Sequence, residues 1–259
     1  MAESLNLVEI FSSVQGEGIH VGESTLFLRF GGCDLRCRWC DSPDTWRPAQ
    51  RCRIETERGA GGGRDVPNPV SLADALAAVD ALDLPAHRWA SLTGGEPLLQ
   101  ASAAEMLVRA LRARGARVYL ETHGLASDAL QRLVDAVELV SMDWKLTSDV
   151  RRAEGQQADV AADFHEAHTA FLRVARTAPE MFVKVVVTPA TRDEEVERMA
   201  ACIAAVDPAT PVVLQPVTPF GAVREGPAPE RLLALAARLS LSLPDVRLIP
   251  QTHKLYRAP

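Results

Sequence analysis

Strand patterns and helix patterns alternate along most of this 259-residue chain. Runs of apolar, β-branched and aromatic residues predict strands, and apolar residues at helical spacing predict helices between them. The alternation favours one domain with a mostly parallel sheet, either a barrel or an open doubly wound sheet, whose functional residues lie at the carboxyl ends of the strands. The predicted strands are 26–30, 89–93, 117–121, 138–142, 181–188, 211–215 and 246–249, and the predicted helices are 71–83, 102–114, 127–137, 164–177, 192–206 and 229–240.

One charged segment, 47–69, interrupts this alternation. It is rich in glycine and proline, so we expect an exposed, mobile loop inserted before the first helix. That helix should begin after Ser71 as its N-cap, and the second helix should end before Gly115.

Charge and hydropathy limit what the chain can bind. The net charge of -6 disfavours a surface that follows a nucleic-acid backbone. The chain has no apolar run of about 20 residues, as a membrane span needs, and its start lacks a basic segment followed by an apolar signal core. We therefore expect a cytoplasmic protein that binds neither nucleic acid nor membrane. In that compartment, five cysteines favour metal ligands or free thiols over disulfides.

Three cysteines, Cys33, Cys37 and Cys40, directly follow a predicted strand with the spacing CxxxCxxC. A structural zinc site is normally closed by four ligands, and a fourth is hard to find: Cys52 lies in the predicted loop, and no histidine follows at finger spacing. A four-iron cluster held by three thiolates keeps one iron open for another molecule. Zinc and metal-free cysteines remain as alternatives at this point.

The cysteine spacing, with Trp39 before the last cysteine, resembles the cluster loop of the radical S-adenosylmethionine (SAM) superfamily. That resemblance implies a partial (β/α) TIM-like barrel, a [4Fe-4S] cluster, and SAM bound through its methionine group to the open iron. The motif TGGEP, from Thr93 to Pro97, resembles the superfamily segment that holds the methionyl amino group. Glycines allow close backbone approach there, and carbonyl and carboxylate oxygens accept hydrogen bonds from an ammonium.

Three further motifs, VQGEG at 14–18, CDS at 40–42 and PQTHK at 250–254, occur together with the cysteines. In this combination the chain resembles the 7-carboxy-7-deazaguanine synthase family. The resemblance implies radical ring contraction of 6-carboxy-5,6,7,8-tetrahydropterin with loss of ammonia, in queuosine and 7-deazapurine biosynthesis. It also implies a Mg²⁺ ion, an external one-electron reductant such as flavodoxin, and a homodimer.

Site residues carried over from this resemblance fall into three sets, with no catalytic residue expected beyond the cofactor radical. Arg29 is expected to face the substrate carboxylate, and Ser42 to bind Mg²⁺. Glu121 and Gln215 end predicted strands and are expected to contact the adenosyl half of SAM. The substrate set is Val14, Gln15, Gly16, Glu17, Arg29, Thr93 and Pro259; the cofactor set is Trp39, Cys40, Asp41, Gly95, Glu96, Glu121, Ser141, Lys145 and Gln215; the metal set is Cys33, Cys37 and Cys40 for the cluster and Ser42 for Mg²⁺.

The basic residues show a further bias, because only three of the 28 are lysines. Lys145, Lys184 and Lys254 each lie in a motif-like segment, which suggests specific roles. The first lies in SMDWK, where the family usually has Ser-Pro-Lys, and His123 stands where Asn, Gln or Ser is commoner. Both departures put the contacts to SAM in question.

Two other functions are compatible with parts of this pattern. A glycyl-radical activating enzyme shares the cluster loop but acts on a protein and does not need VQGEG or Arg29. A zinc-binding interaction module would be colourless rather than brown and oxygen-sensitive.

Overall fold

The computed structural model describes residues 4–154, 163–256 and 258. The strands are β1 (Ser4–Leu5), β2 (Leu7–Val14), β3 (Ser24–Phe30), β4 (Leu35–Cys37), β5 (Arg51–Glu55), β6 (Gly63–Pro67), β7 (Val70–Ser71), β8 (Trp89–Gly94), β9 (Val118–Thr122), β10 (Leu139–Asp143), β11 (Val150–Arg152), β12 (Glu180–Val187), β13 (Val212–Pro216) and β14 (Val246–Leu248). The helices are α1 (Leu72–Ala81), α2 (Ala101–Ala113), α3 (Ser127–Gln131), α4 (His165–Ala175), α5 (Asp193–Val206), α6 (Pro229–Leu239) and α7 (His253–Tyr256).

The main sheet has the strand order β14-β13-β12-β10-β9-β8-β3-β2-β5-β6. From β3 to β14 all neighbours are parallel, whereas β2 pairs antiparallel with β3. In the described chain the sheet is open, with β6 and β14 at its edges. The parallel sheet with helical crossovers confirms the predicted α/β class, and its open form fits a partial barrel.

All the predicted strands are present, with ends within about two residues of those expected. Ser71 caps α1, since its Oγ accepts a hydrogen bond from the Asp74 backbone N–H at 3.0 Å. Gly115 follows α2 with a φ of 82°. The third predicted helix, 127–137, is shorter than expected: α3 ends at Gln131. None of the helices in the described ranges is long and apolar enough to cross a membrane.

The expectation of a loop at 47–69 was wrong for much of its length. Strands β5 and β6 form a hairpin there, and β5 extends the main sheet by pairing with β2. Cys52 lies on β5 and is fully buried in the core, so it is a packing residue. The sequence also gave no clear signal for β2, because a register shift between Leu7 and Glu9 interrupts the alternation of apolar residues.

The pairing register decides which residues reach the functional edge of the sheet. Leu28, Leu92 and Leu120 are aligned across β3, β8 and β9, and all three are fully buried in the core between the sheet and its helices. Successive strand residues point to opposite faces, so the next residue of each strand faces the other side. These next residues are Arg29, Thr93 and Glu121. Ser141 of β10 is aligned with Glu121 and faces the same side.

Candidate active site

A cavity of about 320 Å³ lies at the carboxyl ends of the parallel strands. This is the edge at which the sequence predicted the site. The predicted residues that line it come from strand ends, the cysteine loop and the N-terminal motif. They are Val14, Gln15, Gly16, Glu17, Arg29, Cys33, Cys37, Trp39, Cys40, Asp41, Ser42, Thr93, Gly95, Glu121, Ser141, Lys145 and Gln215.

The cluster cysteines, Cys33, Cys37 and Cys40, are free thiols in the cavity wall. Burial raises the pKa of the Cys33 thiol to about 12 and that of Cys37 to about 11. Such thiols release their protons when a metal binds, so metal binding and deprotonation are coupled. In the described residues no three His, Cys, Asp or Glu side chains converge on one metal position. Cluster thiolates each bind a separate iron, and three cysteine thiols in one cavity wall are the donor type that such a cluster takes.

The TGGEP segment packs backbone to backbone against the cysteine loop. The Glu96 N–H donates to the Gly32 carbonyl at 2.8 Å, and the Gly32 N–H donates to the Thr45 carbonyl at 2.7 Å. A Cβ atom on Gly95 would lie 2.2 Å from the Gly32 oxygen. Only glycine permits this approach, so Gly95 fixes the position of the cysteine loop relative to β8.

The carboxylate of Glu96, which the sequence predicted to contact SAM, is held by donors of the protein itself. Glu96 is fully buried and is absent from the cavity wall. Its oxygens accept hydrogen bonds from the Thr122 hydroxyl at 2.8 Å and from the His123 and Leu98 backbone N–H groups at 2.8 and 3.0 Å. A buried carboxylate needs such donors, so Glu96 joins β8 to β9 and leaves the glycine backbone beside the cofactor position.

The N-terminal motif lines the same cavity as the cysteine loop. The Gln15 amide donates to Glu121 Oε1 at 3.1 Å, and the Ser91 hydroxyl donates to the same oxygen at 2.7 Å. Burial raises the pKa of Glu121, although nearby Lys184 and these hydrogen bonds offset part of the effect. Arg29 donates from Nε to Glu9 at 2.6 Å. Its terminal nitrogens make no hydrogen bond within the described ranges, and Arg29 lines the cavity.

The C-terminal motif closes the same side of the cavity. The Gln251 amide donates to Glu17 Oε1 at 2.7 Å, and Lys254 forms an ion pair of 3.0 Å with Asp41. The Thr252 N–H donates to the Gly16 carbonyl at 2.8 Å, and a Cβ on Gly16 would collide with His253. The motifs VQGEG, CDS and PQTHK therefore meet although they are far apart in sequence. Pro259, the predicted terminal contact, lies outside the described residues.

Comparisons with known proteins agree with this arrangement. Residues 28–203 match the profile of the Radical SAM superfamily. The 7-carboxy-7-deazaguanine synthase of Geobacter sulfurreducens is 38% identical over 251 residues, which cover 96% of this chain and 95% of that protein. The synthase of Methanopyrus kandleri is 35% identical over 97% of this chain and 93% of its own length. This chain belongs to the 7-carboxy-7-deazaguanine synthase family.

A solved structure supports the fold of this synthase family member. The crystal structure of QueE from Escherichia coli superposes with a TM-score of 0.64 at 21% identity, over 96% of this chain and 95% of that one. The likeness identifies the radical SAM fold, including its partial barrel.

His123, one of the two departures from the usual family pattern, braces the cysteine loop. Its Nε2 lies 2.9 Å from an oxygen of Asp34, which directly follows Cys33. Its Nδ1 accepts a hydrogen bond from the Leu125 N–H at 3.3 Å. Nε2 therefore carries the ring proton and donates a hydrogen bond to Asp34. Burial is the largest effect on the pKa of Asp34 and would raise it, but His123, a backbone hydrogen bond and nearby Arg152 together outweigh burial, so the pKa is lowered. His123 therefore ties the loop to the end of β9.

The SMDWK segment, the second departure, gives Lys145 a support that the sequence did not reveal. The Lys145 ammonium lies 2.8 Å from Asp143 and 4.6 Å from the centre of the Trp39 ring. Its backbone N–H donates to Nε2 of His168, a buried residue of α4 that also donates from Nδ1 to the Gly124 carbonyl. Trp144 packs on the same imidazole, with ring centres 4.8 Å apart. His168 lies within α4, and nothing in the local sequence of that helix indicated this role.

All three lysines of the chain line the cavity. Lys145 and Lys254 pair with Asp143 and Asp41, as described above. Lys184, which the sequence placed in no predicted set, projects from β12 toward Glu17. The bias in the basic residues was therefore the signal that could have found Lys184.

Proposed function

We propose that this chain is a radical SAM enzyme that converts 6-carboxy-5,6,7,8-tetrahydropterin to 7-carboxy-7-deazaguanine, with loss of ammonia, in the biosynthesis of queuosine and other 7-deazapurines. One observation carries the proposal. The cysteine loop, the TGGEP segment and the three family motifs all line one cavity. Membership of the synthase family over nearly the whole chain supports the same reaction.

The cofactor half of the cavity is built to hold and orient SAM. When bound, the cluster and SAM supply a carbon-centred radical that removes a hydrogen atom from the substrate. The cluster cysteines would hold the cluster, and the backbone carbonyls of the TGGEP segment would accept hydrogen bonds from the methionyl ammonium. Ser141, Lys145 and Gln215 contribute polar groups beside it. Glu121 lies between this half and Gln15, so we assign it to the boundary of the two ligands.

The substrate half offers a cation and paired acceptors for a flat, carboxylated ring. Arg29 presents terminal nitrogens that match a carboxylate, and Glu17 presents an acceptor for the guanidine-like edge of a pterin. Gln15 and Thr93 add neutral hydrogen-bonding groups from two strands. Ser42, whose hydroxyl donates to Asp41 at 3.1 Å, supplies oxygen for a Mg²⁺ ion shared with the substrate.

The external reductant such as flavodoxin, the homodimer and the cytoplasmic location belong to the same proposal. The family resemblance of the sequence supports them. The Mg²⁺ ion has the additional support that Ser42 and Asp41 both line the cavity.

The direct test is turnover by protein purified without oxygen. We expect a brown protein with about four irons per chain, which forms 7-carboxy-7-deazaguanine from the carboxytetrahydropterin when SAM, Mg²⁺ and a reductant are supplied. Mass spectrometry identifies the product. SAM cleavage without that product would contradict the proposal and favour another radical enzyme, such as a glycyl-radical activating enzyme. A colourless protein with one zinc would support the interaction module instead.

A further inference from the structure

Lys184 is a buried cation in the cavity wall that the predicted site residues do not include. It lies on β12 in register with Asp143 of the neighbouring β10, and the residue is 6% exposed. Long amphipathic side chains normally keep their charged ends in water, so a buried lysine needs anionic partners.

Two carboxylates from opposite halves of the cavity meet at this ammonium. Nζ of Lys184 forms an ion pair with Glu17 Oε2 and lies 3.2 Å from Asp143 Oδ1. The second oxygen of Asp143 forms an ion pair with Lys145 at 2.8 Å. The second oxygen of Glu17 accepts a hydrogen bond from the Gln251 amide at 2.7 Å. Lys184 therefore joins the substrate half, through Glu17, to the cofactor half, through Asp143.

The two carboxylates depend on Lys184 to different degrees. Burial would lower the pKa of the Lys184 ammonium, but Asp143 and Glu17 outweigh that effect, and the pKa is raised. Without Lys184, Asp143 would retain an ion pair with Lys145. Among the described residues, Glu17 would retain only the neutral Gln251 amide as a side-chain partner, and a carboxylate held by one neutral donor can turn toward water.

We propose that Lys184 is a positioning residue that anchors the Glu17 carboxylate in the cavity, where this carboxylate receives the pterin ring. This rests on the proposed function and assigns to Lys184 an effect on substrate binding. Lys184 acts through Glu17 and is not a catalytic residue.

A double-mutant cycle of Lys184→Met with Glu17→Gln tests this role, because residues that act as a unit are not additive. In steady-state turnover we expect Lys184→Met to raise the KM for the carboxytetrahydropterin by about 10- to 100-fold, the effect of a lost charge-assisted hydrogen bond. The kcat should fall by less than about threefold, because binding is weakened in the ground state and the transition state alike. In the Glu17→Gln background, the same change should alter KM by less than about threefold.

A matched control is Arg176→Met, which also removes one positive charge and one ion pair, of 3.0 Å with Asp207, but at the surface. It should leave KM unchanged. Iron content and the melting temperature report on folding of each variant. If Lys184→Met does not fold, Lys184→Gln takes its place in the cycle, since glutamine keeps a neutral donor without the charge.

Two results would overturn the role of Lys184: additive effects of the two substitutions, or a loss of kcat at unchanged KM. Either result leaves the proposed function standing if the wild-type protein forms 7-carboxy-7-deazaguanine. A wild-type protein that cleaves SAM but forms no such product overturns the proposed function, and the role of Lys184 in binding the pterin falls with it.

Discussion

His168 makes the stability of this protein sensitive to mild acid. The imidazole is fully buried and uses both nitrogens, with Nε2 accepting from the Lys145 N–H at 2.9 Å and Nδ1 donating to the Gly124 carbonyl at 2.8 Å. A second proton on the ring, at Nε2, would place one N–H donor against another, the Lys145 N–H, and the hydrogen bond between them would be lost. Burial accordingly lowers the pKa of His168 from 6.5 to about 3.

The size of the effect follows from this pKa. Below pH 6.5 the unfolded chain binds a proton at His168, whereas the folded chain binds it only near pH 3. The contribution of the neutral imidazole is therefore complete above pH 6.5 and is lost as the pH falls toward 3. One pKa unit corresponds to 1.36 kcal/mol, so at about pH 5 the free energy of unfolding should be lower by roughly 2 kcal/mol from this residue alone.

Urea unfolding of the wild type and of His168→Gln, at about pH 7.5 and pH 5 and with equal iron content, measures this contribution. The carboxylates titrate in both proteins, so their effects cancel in the comparison. We expect the wild type to lose about 2 kcal/mol more than the variant between the two pH values, even if the variant is less stable at the higher pH. Equal losses would show that His168 is not held neutral in the folded protein, and the packing of α4 behind Lys145 would need revision.

Further substitutions test separate parts of the site. Alanine at any of the cluster cysteines should abolish iron binding and SAM cleavage, whereas Cys52→Ala should keep both, as iron analysis will show; cluster loss in that variant would mean a wrong ligand set. Gly95→Ala should lower the free energy of unfolding by about 1–3 kcal/mol and reduce iron content, since its Cβ would strike the cysteine loop. Ser42→Ala should weaken the stimulation of turnover by Mg²⁺ without loss of cluster absorbance; unchanged dependence removes Ser42 from the metal site.

The sequence predicted those strands and helices whose formation depends mainly on residues close to each other in the chain. Strands such as β12 and β13 are mostly apolar because both faces of a parallel sheet are covered, and that pattern is readable locally. The hairpin of β5 and β6 was missed because its glycines and charges are typical of loops, and pairing with β2 supplies what the local sequence lacks.

What the sequence alone determined is the chemistry of this protein: three cysteines in a fixed spacing, the TGGEP segment and the family motifs specify which ligands can be held. Which polar group meets which ligand was decided only by the tertiary structure. Glu96 turns away from the cavity because donors at the end of β9 satisfy it, and Lys184 reaches Glu17 because β12 lies beside β10 in the sheet. Such contacts join residues more than 20 positions apart, and in the case of Lys184 and Glu17 they are 167 positions apart. Strand order and register create them, and no local periodicity records either one.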